Sequence, residues 1–189
     1  MKQKGLILTL CFVLLATVAS AQNDTTDATK MKEEPAADYS KDHKSIDSTI
    51  KALYDVISGP KEKKRDWARF NALFYKGARL IPSGKGQDGV TRARMDAPDE
   101  YAKRSEPFFQ RNGFYEQEIA RKTDVFGNIA HVFTTYEARF SLEDEKPFMR
   151  GINSIQLLND GKRWWILSVF WQQESKESPI PEKYLMTNN

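Results

Sequence analysis

Gly127–Gln173 reads GNIAHVFTTYEARFSLEDEKPFMRGINSIQLLNDGKRWWILSVFWQQ. Three runs within it, Ile129–Phe140, Pro147–Leu158 and Arg163–Gln173, have strand composition and are joined by polar turns. Phe126-Gly127-Asn128 and Asn159-Asp160-Gly161 carry hairpin-type residues, so neighbouring strands should run antiparallel. The last run sets Trp164, Ile166, Ser168 and Phe170 against Trp165, Leu167, Val169 and Trp171, and both parities are apolar. One face should cover an internal core. The other needs cover from the C-terminal tail, where Tyr184-Leu185 follow Pro179 and Pro181, or from a second subunit. A homodimer through that outer face is the expectation.

N-terminal to this stretch, Phe114–Lys122 completes a set of four long strands, entered through the turn Asn112-Gly113. Asp96–Phe109 has helical spacing, with Pro98 in its first turn and Tyr101, Ala102, Ser105, Phe108 and Phe109 on one side. Ser83–Arg94 reads as a polar, mobile loop. Its Gly84, Gly86 and Gly89 spell G-x-G-x-x-G, but no apolar helix opens on them, so a dinucleotide site is not expected. Arg79-Leu80-Ile81 is a short strand stopped by Pro82. Two helices precede it. Ser45–Ser58 places Ile46, Ile50, Leu53, Tyr54 and Ile57 at helical spacing and ends at Gly59-Pro60. The second starts at the N-cap Asp66, buries Trp67, Phe70, Leu73 and Phe74, and stops at Gly77. Lys61–Arg65 between them reads as a solvated charge run.

The first 44 residues lie outside this pattern. Lys2 and Lys4, the apolar Leu6–Val18 and the small Ala19-Ser20-Ala21 form a secretory leader spanning 1–21, with cleavage after Ala21. Leu10 is too bulky to precede a lipidated Cys11. The chain is therefore expected in the periplasm or secreted, with no membrane attachment after cleavage. Residues 22–44, polar and nearly free of large apolar side chains, read as a flexible tether, leaving one domain over 45–189. Cys11 is the single cysteine, which removes disulfides, a thiol nucleophile and thiolate metal sites from the mature chain. Lys+Arg number 29 and Asp+Glu 26, and setting aside Lys2 and Lys4 leaves a net charge of about +1, so nothing recruits nucleic acid or an anionic membrane.

Two helices, a short strand, a third helix and a long antiparallel sheet resemble the nuclear transport factor 2-like superfamily. The resemblance rests on Asp66-Trp67 through Leu73-Phe74 with Ala78 and Leu80, on Gly127-Asn128-Ile129-Ala130, and on Asn159-Asp160-Gly161-Lys162-Arg163-Trp164. It implies an α+β cone, a curved antiparallel sheet wrapped around three N-terminal helices, with a pocket between helices and sheet. That superfamily includes steroid isomerase-like and cyclase-like enzymes as well as ligand binders, so the fold does not decide function. Against the steroid isomerases, Tyr54 matches the oxyanion-hole tyrosine, and Asn153 stands where the hydrogen-bonding acid would be. The position of the proton-shuttling base falls on Pro82, which cannot accept a proton.

The first reading is an exported domain binding a small, mostly apolar molecule, with Tyr54, Asn153, Trp67, Trp164 or Trp165 lining the pocket. Arg150, beside Gly151, could clamp a carboxylate or pair with an acid such as Glu137. The second is a cyclase- or isomerase-type enzyme with His131 as the replacement base, although a structurally satisfied histidine is the more ordinary role. The third is an interaction or scaffold domain whose pocket is filled by its own side chains. Binding is favoured over catalysis, and no cofactor or metal is expected: His131 is the only histidine within 45–189, and no P-loop or G-x-S-x-G occurs. Glu116 and Glu118 share a face, and with Arg121 and Lys122 nearby they read as a solvated strand surface.

Overall fold

Register across the sheet is the feature that positions every other element. A computed structural model describes residues 37–186; the expected leader (1–21) and most of the expected tether (22–44) lie outside the described residues. Six strands lie in the order β2-β1-β6-β5-β4-β3. They are β1 (Phe74–Lys85), β2 (Thr91–Ala93), β3 (Tyr115–Phe126), β4 (Ile129–Arg139), β5 (Met149–Asn159) and β6 (Trp164–Gln173). All neighbours are antiparallel except β1 and β6, which run parallel. Strands β4 and β5 pair without interruption from Ile129↔Leu158 to Ala138↔Met149. Their inner side chains, Ala130, Val132, Thr134, Tyr136 and Ala138 on β4 with Asn153, Ile155 and Leu157 on β5, are all buried.

Register shifts interrupt the outer pairings: the β1–β6 pairing is irregular between Phe74 and Arg79, and the two antiparallel pairings of β3 and β6 each carry a one-residue bulge. In β3, Glu118 pairs with Tyr136 and Ala120 with Thr135, so Ile119 is the extra residue. In β6, Ser168 pairs with Gln156 and Ile166 with Leu157, so Leu167 is extra. A bulge bends its strand and exchanges the faces of the residues beyond it. Strict alternation along β6 therefore fails: the inner face takes Trp164 and Ile166 from one parity, then Val169 and Trp171 from the other.

Helix α1 (Ile46–Ile57) closes the concave side. Ser45 caps it in a reciprocal box with Ser48, satisfying backbone N–H groups that have no partner in the first turn. Ile50, Leu53, Tyr54, Val56 and Ile57 are buried. Each such side chain removed from water contributes about 1.5–3 kcal/mol before entropy is charged against it. Helix α2 (Trp67–Ala72) is short, and the chain passes from it directly into β1, so Gly77 lies inside a strand rather than ending a helix. Helix α3 (Pro98–Arg111) stacks its aromatic residues against α2 and β3, with Phe109 5.1 Å from the Phe114 ring. Among the described residues no helix is long and apolar enough to cross a membrane.

Four expectations are corrected. The region Ser83–Arg94 is not a free loop: Ser83–Lys85 pairs with Thr91–Ala93 as a hairpin, and Gly86 and Gly89 form its turn. Pro82 does not stop β1, because the strand is bonded to β6 in parallel register through Pro82↔Trp171. The tether ends before Lys44, since Ser40–His43 forms a 3-10 turn in which His43 is buried and Asp42 pairs with Arg69 at 2.7 Å. The run Lys61–Arg65 is not wholly solvated. Arg65 is 4% exposed and donates to the carbonyls of Ile57, Gly59, Pro60 and Lys63 at 2.7–3.2 Å, knitting the end of α1 to the following loop.

On the convex face, the C-terminal tail supplies part of the cover. The Tyr184 carbonyl accepts from the buried Thr135 hydroxyl, and its ring lies 4.9 Å from Phe133. Phe170, two strands from Phe133 on the same face, remains 45% exposed.

The fold makes a direct prediction. Arg65→Ala leaves buried carbonyls without donors and should cost at least about 2 kcal/mol, since hydrogen bonds to charged groups contribute roughly 1.5–3 kcal/mol. Arg65→Lys should recover only part of this, because an ammonium cannot match the planar fork. Urea unfolding of the two variants checks the order; an unchanged midpoint for Arg65→Ala contradicts it.

Candidate functional site

Helix α1 delivers Tyr54 to the sheet one turn before its end, in the buried register of Ile50 and Ile57. A buried phenol needs a partner. It has two: the Asn153 Nδ2 donates to the Tyr54 oxygen at 3.0 Å, and the Thr134 Oγ1 lies 3.2 Å away. Thr134 and Asn153 are themselves directly opposed across β4 and β5. With Asn153 donating, the phenolic proton is free to point at Thr134. Burial raises the Tyr54 pKa well above its ordinary value, so the hydroxyl stays neutral.

Tyr54 and Asn153 form part of the lining of a cavity of about 290 Å³ between the helices and the inner sheet face. The volume is near the lower end of the range for small-molecule sites, about 300–1,000 Å³. It far exceeds the space of one trapped water, roughly 30 Å³ in the liquid. Tyr101, Phe108, Phe109, Phe114, Tyr136 and Trp171 supply aromatic walls. Gly151 allows one of them to sit where it does: a Cβ there would lie 2.5 Å from the Tyr136 hydroxyl and 2.5 Å from the Gln172 carbonyl. Arg104 and Ser105 also contribute to the lining. The Arg104 guanidinium is held by buried Asp96, with Nη1 2.7 Å from Oδ1.

Glu116 is the acid of the cavity. Burial pushes its carboxyl up to about 8, against a smaller opposing pull from Asn153. The neighbouring acid on the same face, Glu118, is instead paired with Arg121, which also reaches Asp47. Reading Glu116 as solvated surface is therefore corrected. Counting back from the Gly127 turn without a bulge puts Glu116 opposite Arg139 on the convex face. The extra Ile119 puts it opposite Ala138 on the concave face. The bulge also sets Arg121 on the same side as Glu118, where the two neutralise each other.

The other residues singled out from the sequence lie elsewhere. His131 is on the convex face, 2.9 Å from the Ser154 hydroxyl and with its ring 5.9 Å from Phe133, so it cannot serve as a base in the cavity. Trp67 stacks on Phe109 with centroids 6.0 Å apart and donates its indole N–H to Glu106, outside the cavity lining. Trp164 faces inward at the opposite end, beside Ile46, Glu118 and Arg121. Trp165 faces outward, under the Arg163 guanidinium at 3.5 Å. Arg150 pairs with Glu174 at 2.9 Å rather than with Glu137, which is engaged by Arg139 and Gln117. Of the named candidates, Tyr54 and Asn153 are brought together. Tyr101, Tyr136, Trp171 and Glu116 were not anticipated.

Neither a protein-family model nor a curated protein matches the sequence. Solved structures do resemble it. A protein of unknown function with a cystatin-like fold from Nostoc punctiforme has 10% identity and a TM-score of 0.53, over 69% of this chain and 90% of that one. A protein of unknown function from Mycobacterium tuberculosis has 11% identity and a TM-score of 0.53, over 71% and 73%. The yeast UBP3-associated protein BRE5 has 11% identity and a TM-score of 0.50, over 68% and 93%. At these identities the likeness is one of fold. The curved, unclosed six-stranded sheet with three helices is the α+β arrangement that the sequence resemblance implied.

The carboxyl of Glu116 makes stability depend on pH. Its folded-state pKa of about 8 lies above the ordinary 4.5, so the folded chain holds the proton more tightly than the unfolded chain. The cost of ionising it is absent below about pH 4.5, grows as pH rises and is complete above about 8. Glu116→Gln removes that cost. Thermal melts should show the wild type losing ground to the variant between those pH values; a constant difference across the range contradicts the placement of Glu116.

Proposed function

We propose that this domain binds a small, mostly apolar molecule in the cone cavity and orients it by a polar end set against Tyr54, Asn153 and Glu116. The observation that carries the reading is the unfilled cavity itself. Its walls are largely aromatic and aliphatic, with a smaller set of polar groups that includes the hydrogen-bonded Tyr54 and Asn153. That is the usual composition of a small-molecule site. An interaction domain with a self-filled cone fits this geometry less well.

A second reading is favoured by one feature. Glu116, with a carboxyl poised near neutrality beside a neutral phenol and an amide, has the properties of a general acid–base. Under that reading the domain transfers protons within a bound substrate, as an isomerase or cyclase does. Glu116 then takes the role that the sequence assigned to His131.

Native mass spectrometry of the purified chain tests the binding reading. The wild type should retain a small molecule, and Tyr54→Phe and Asn153→Leu should each reduce its occupancy. Leaving one donor or acceptor unmatched costs about 1–3 kcal/mol, roughly a tenfold loss of affinity or more. Equal occupancy in wild type and both variants would leave Tyr54 and Asn153 with a structural role only.

A further inference from the structure

Several partly buried acids of the domain are paired with arginines. Asp96 is held by Arg94 and Arg104, Glu118 by Arg121, and Glu137 by Arg139. Glu116 is the acid that lines the cavity, and among the described residues it forms no ion pair. A carboxyl without a cation, within aromatic walls, can hold its proton until a cation enters and then ionise to face it. We propose that the cavity takes a small organic amine, bound as its ammonium ion with Glu116 as the counter-charge. This inference rests on the ligand-binding reading above and names its ligand class.

Three observations favour an organic cation over other occupants. The walls include Tyr101, Phe108, Phe109, Phe114, Tyr136 and Trp171, and aromatic rings attract ammonium groups through their quadrupoles while accommodating a hydrocarbon body. The remaining polar groups beside Glu116 include the Tyr54 oxygen and the Asn153 amide, which can accept N–H hydrogens. A metal ion would require several oxygen or nitrogen ligands, and the described residues contain no cluster of three or more His, Cys, Asp or Glu side chains. The one guanidinium lining the cavity, Arg104, is already bound to Asp96, so an anionic ligand would find no unpaired cation among the lining residues.

The site also sets the proton balance of binding. Glu116 is surrounded by Tyr54 from α1, Tyr101 and Arg104 from α3, Tyr136 from β4 and Asn153 from β5, with Glu118 further along its own strand. Burial keeps all three tyrosines neutral, so Glu116 is the group that titrates near neutrality. At pH 7 the empty site holds a carboxylic acid. When an ammonium ion enters, the acid ionises, the N–H···O contact forms between ammonium and carboxylate, and the acid proton leaves to buffer. Close to one proton is released per ligand.

Isothermal titration calorimetry of the whole chain with benzylamine and with benzyl alcohol, at pH 7 in two buffers of different ionisation enthalpy, tests this. Both probes present the same ring and chain, and only one is a cation. Benzylamine should bind at least tenfold more tightly than benzyl alcohol and release close to one proton. Glu116→Gln, which the stability argument expects to fold at least as well as wild type, should abolish both the preference and the proton release. Equal binding of the two probes overturns the amine assignment and leaves the ligand-binding reading standing. Benzylamine binding without proton release, or undiminished in Glu116→Gln, overturns Glu116 as counter-charge. Binding of neither probe counts against both readings.

Discussion

A strand presents alternate side chains to opposite faces, and one inserted residue exchanges those faces for everything beyond it. This protein uses that rule twice, at Ile119 in β3 and at Leu167 in β6. The first insertion puts the Glu116 carboxyl inside the cone. The second lets Trp164 and Ile166 share the inner face with Val169 and Trp171. Between these strands β4 and β5 pair without a break, and that uninterrupted ladder is the reference against which both shifts occur. The bulges also bend their strands, which is how an antiparallel sheet curves around helices instead of lying flat over them.

The polar floor of the cone follows from the same registration. Thr134 and Asn153 are cross-strand partners, and Tyr54 reaches both from α1, so one phenol ties the helix to two strands. The phenol, the hydroxyl and the amide are thereby linked by hydrogen bonds, as a low-dielectric interior favours. Glu116 adds a carboxyl to a lining that already satisfies its other polar groups. Burial keeps it protonated around neutrality, and no cation of the described residues pairs with it. An acid in this state is available to a ligand or a proton-transfer step, whereas the paired acids Asp96, Glu118 and Glu137 are already compensated.

Much of the architecture was legible from local patterns. The helical spacing of Ile46 to Ile57, the hairpin turns at Gly127 and Gly161, and the four long apolar runs identify the cone. Tyr54 was legible as an inward residue because it shares the register of Ile50 and Ile57, and Asn153 because it interrupts an apolar strand. Position in the fold was harder where alternation broke. No residue pattern marks Ile119 or Leu167 as extra, so Glu116 read as a surface acid and Trp171 was assigned with Trp165. Arg65 sits in a run of lysines and looks solvated by composition; only the tertiary placement of four carbonyls around it shows otherwise. His131 suffered the opposite error. Its chemistry suggested a base, and its parity set it on the convex face against Ser154.

The central claim is that Glu116 lies in a desolvated cavity without a cationic partner from this chain. A carbon-13 NMR titration of the side-chain carboxyls, with Glu116 assigned by its loss in Glu116→Gln, measures this group directly. A midpoint near 8 is the result required by the structure. A midpoint near the ordinary value of 4.5 would place the carboxyl in water, and the account of the cavity would be wrong.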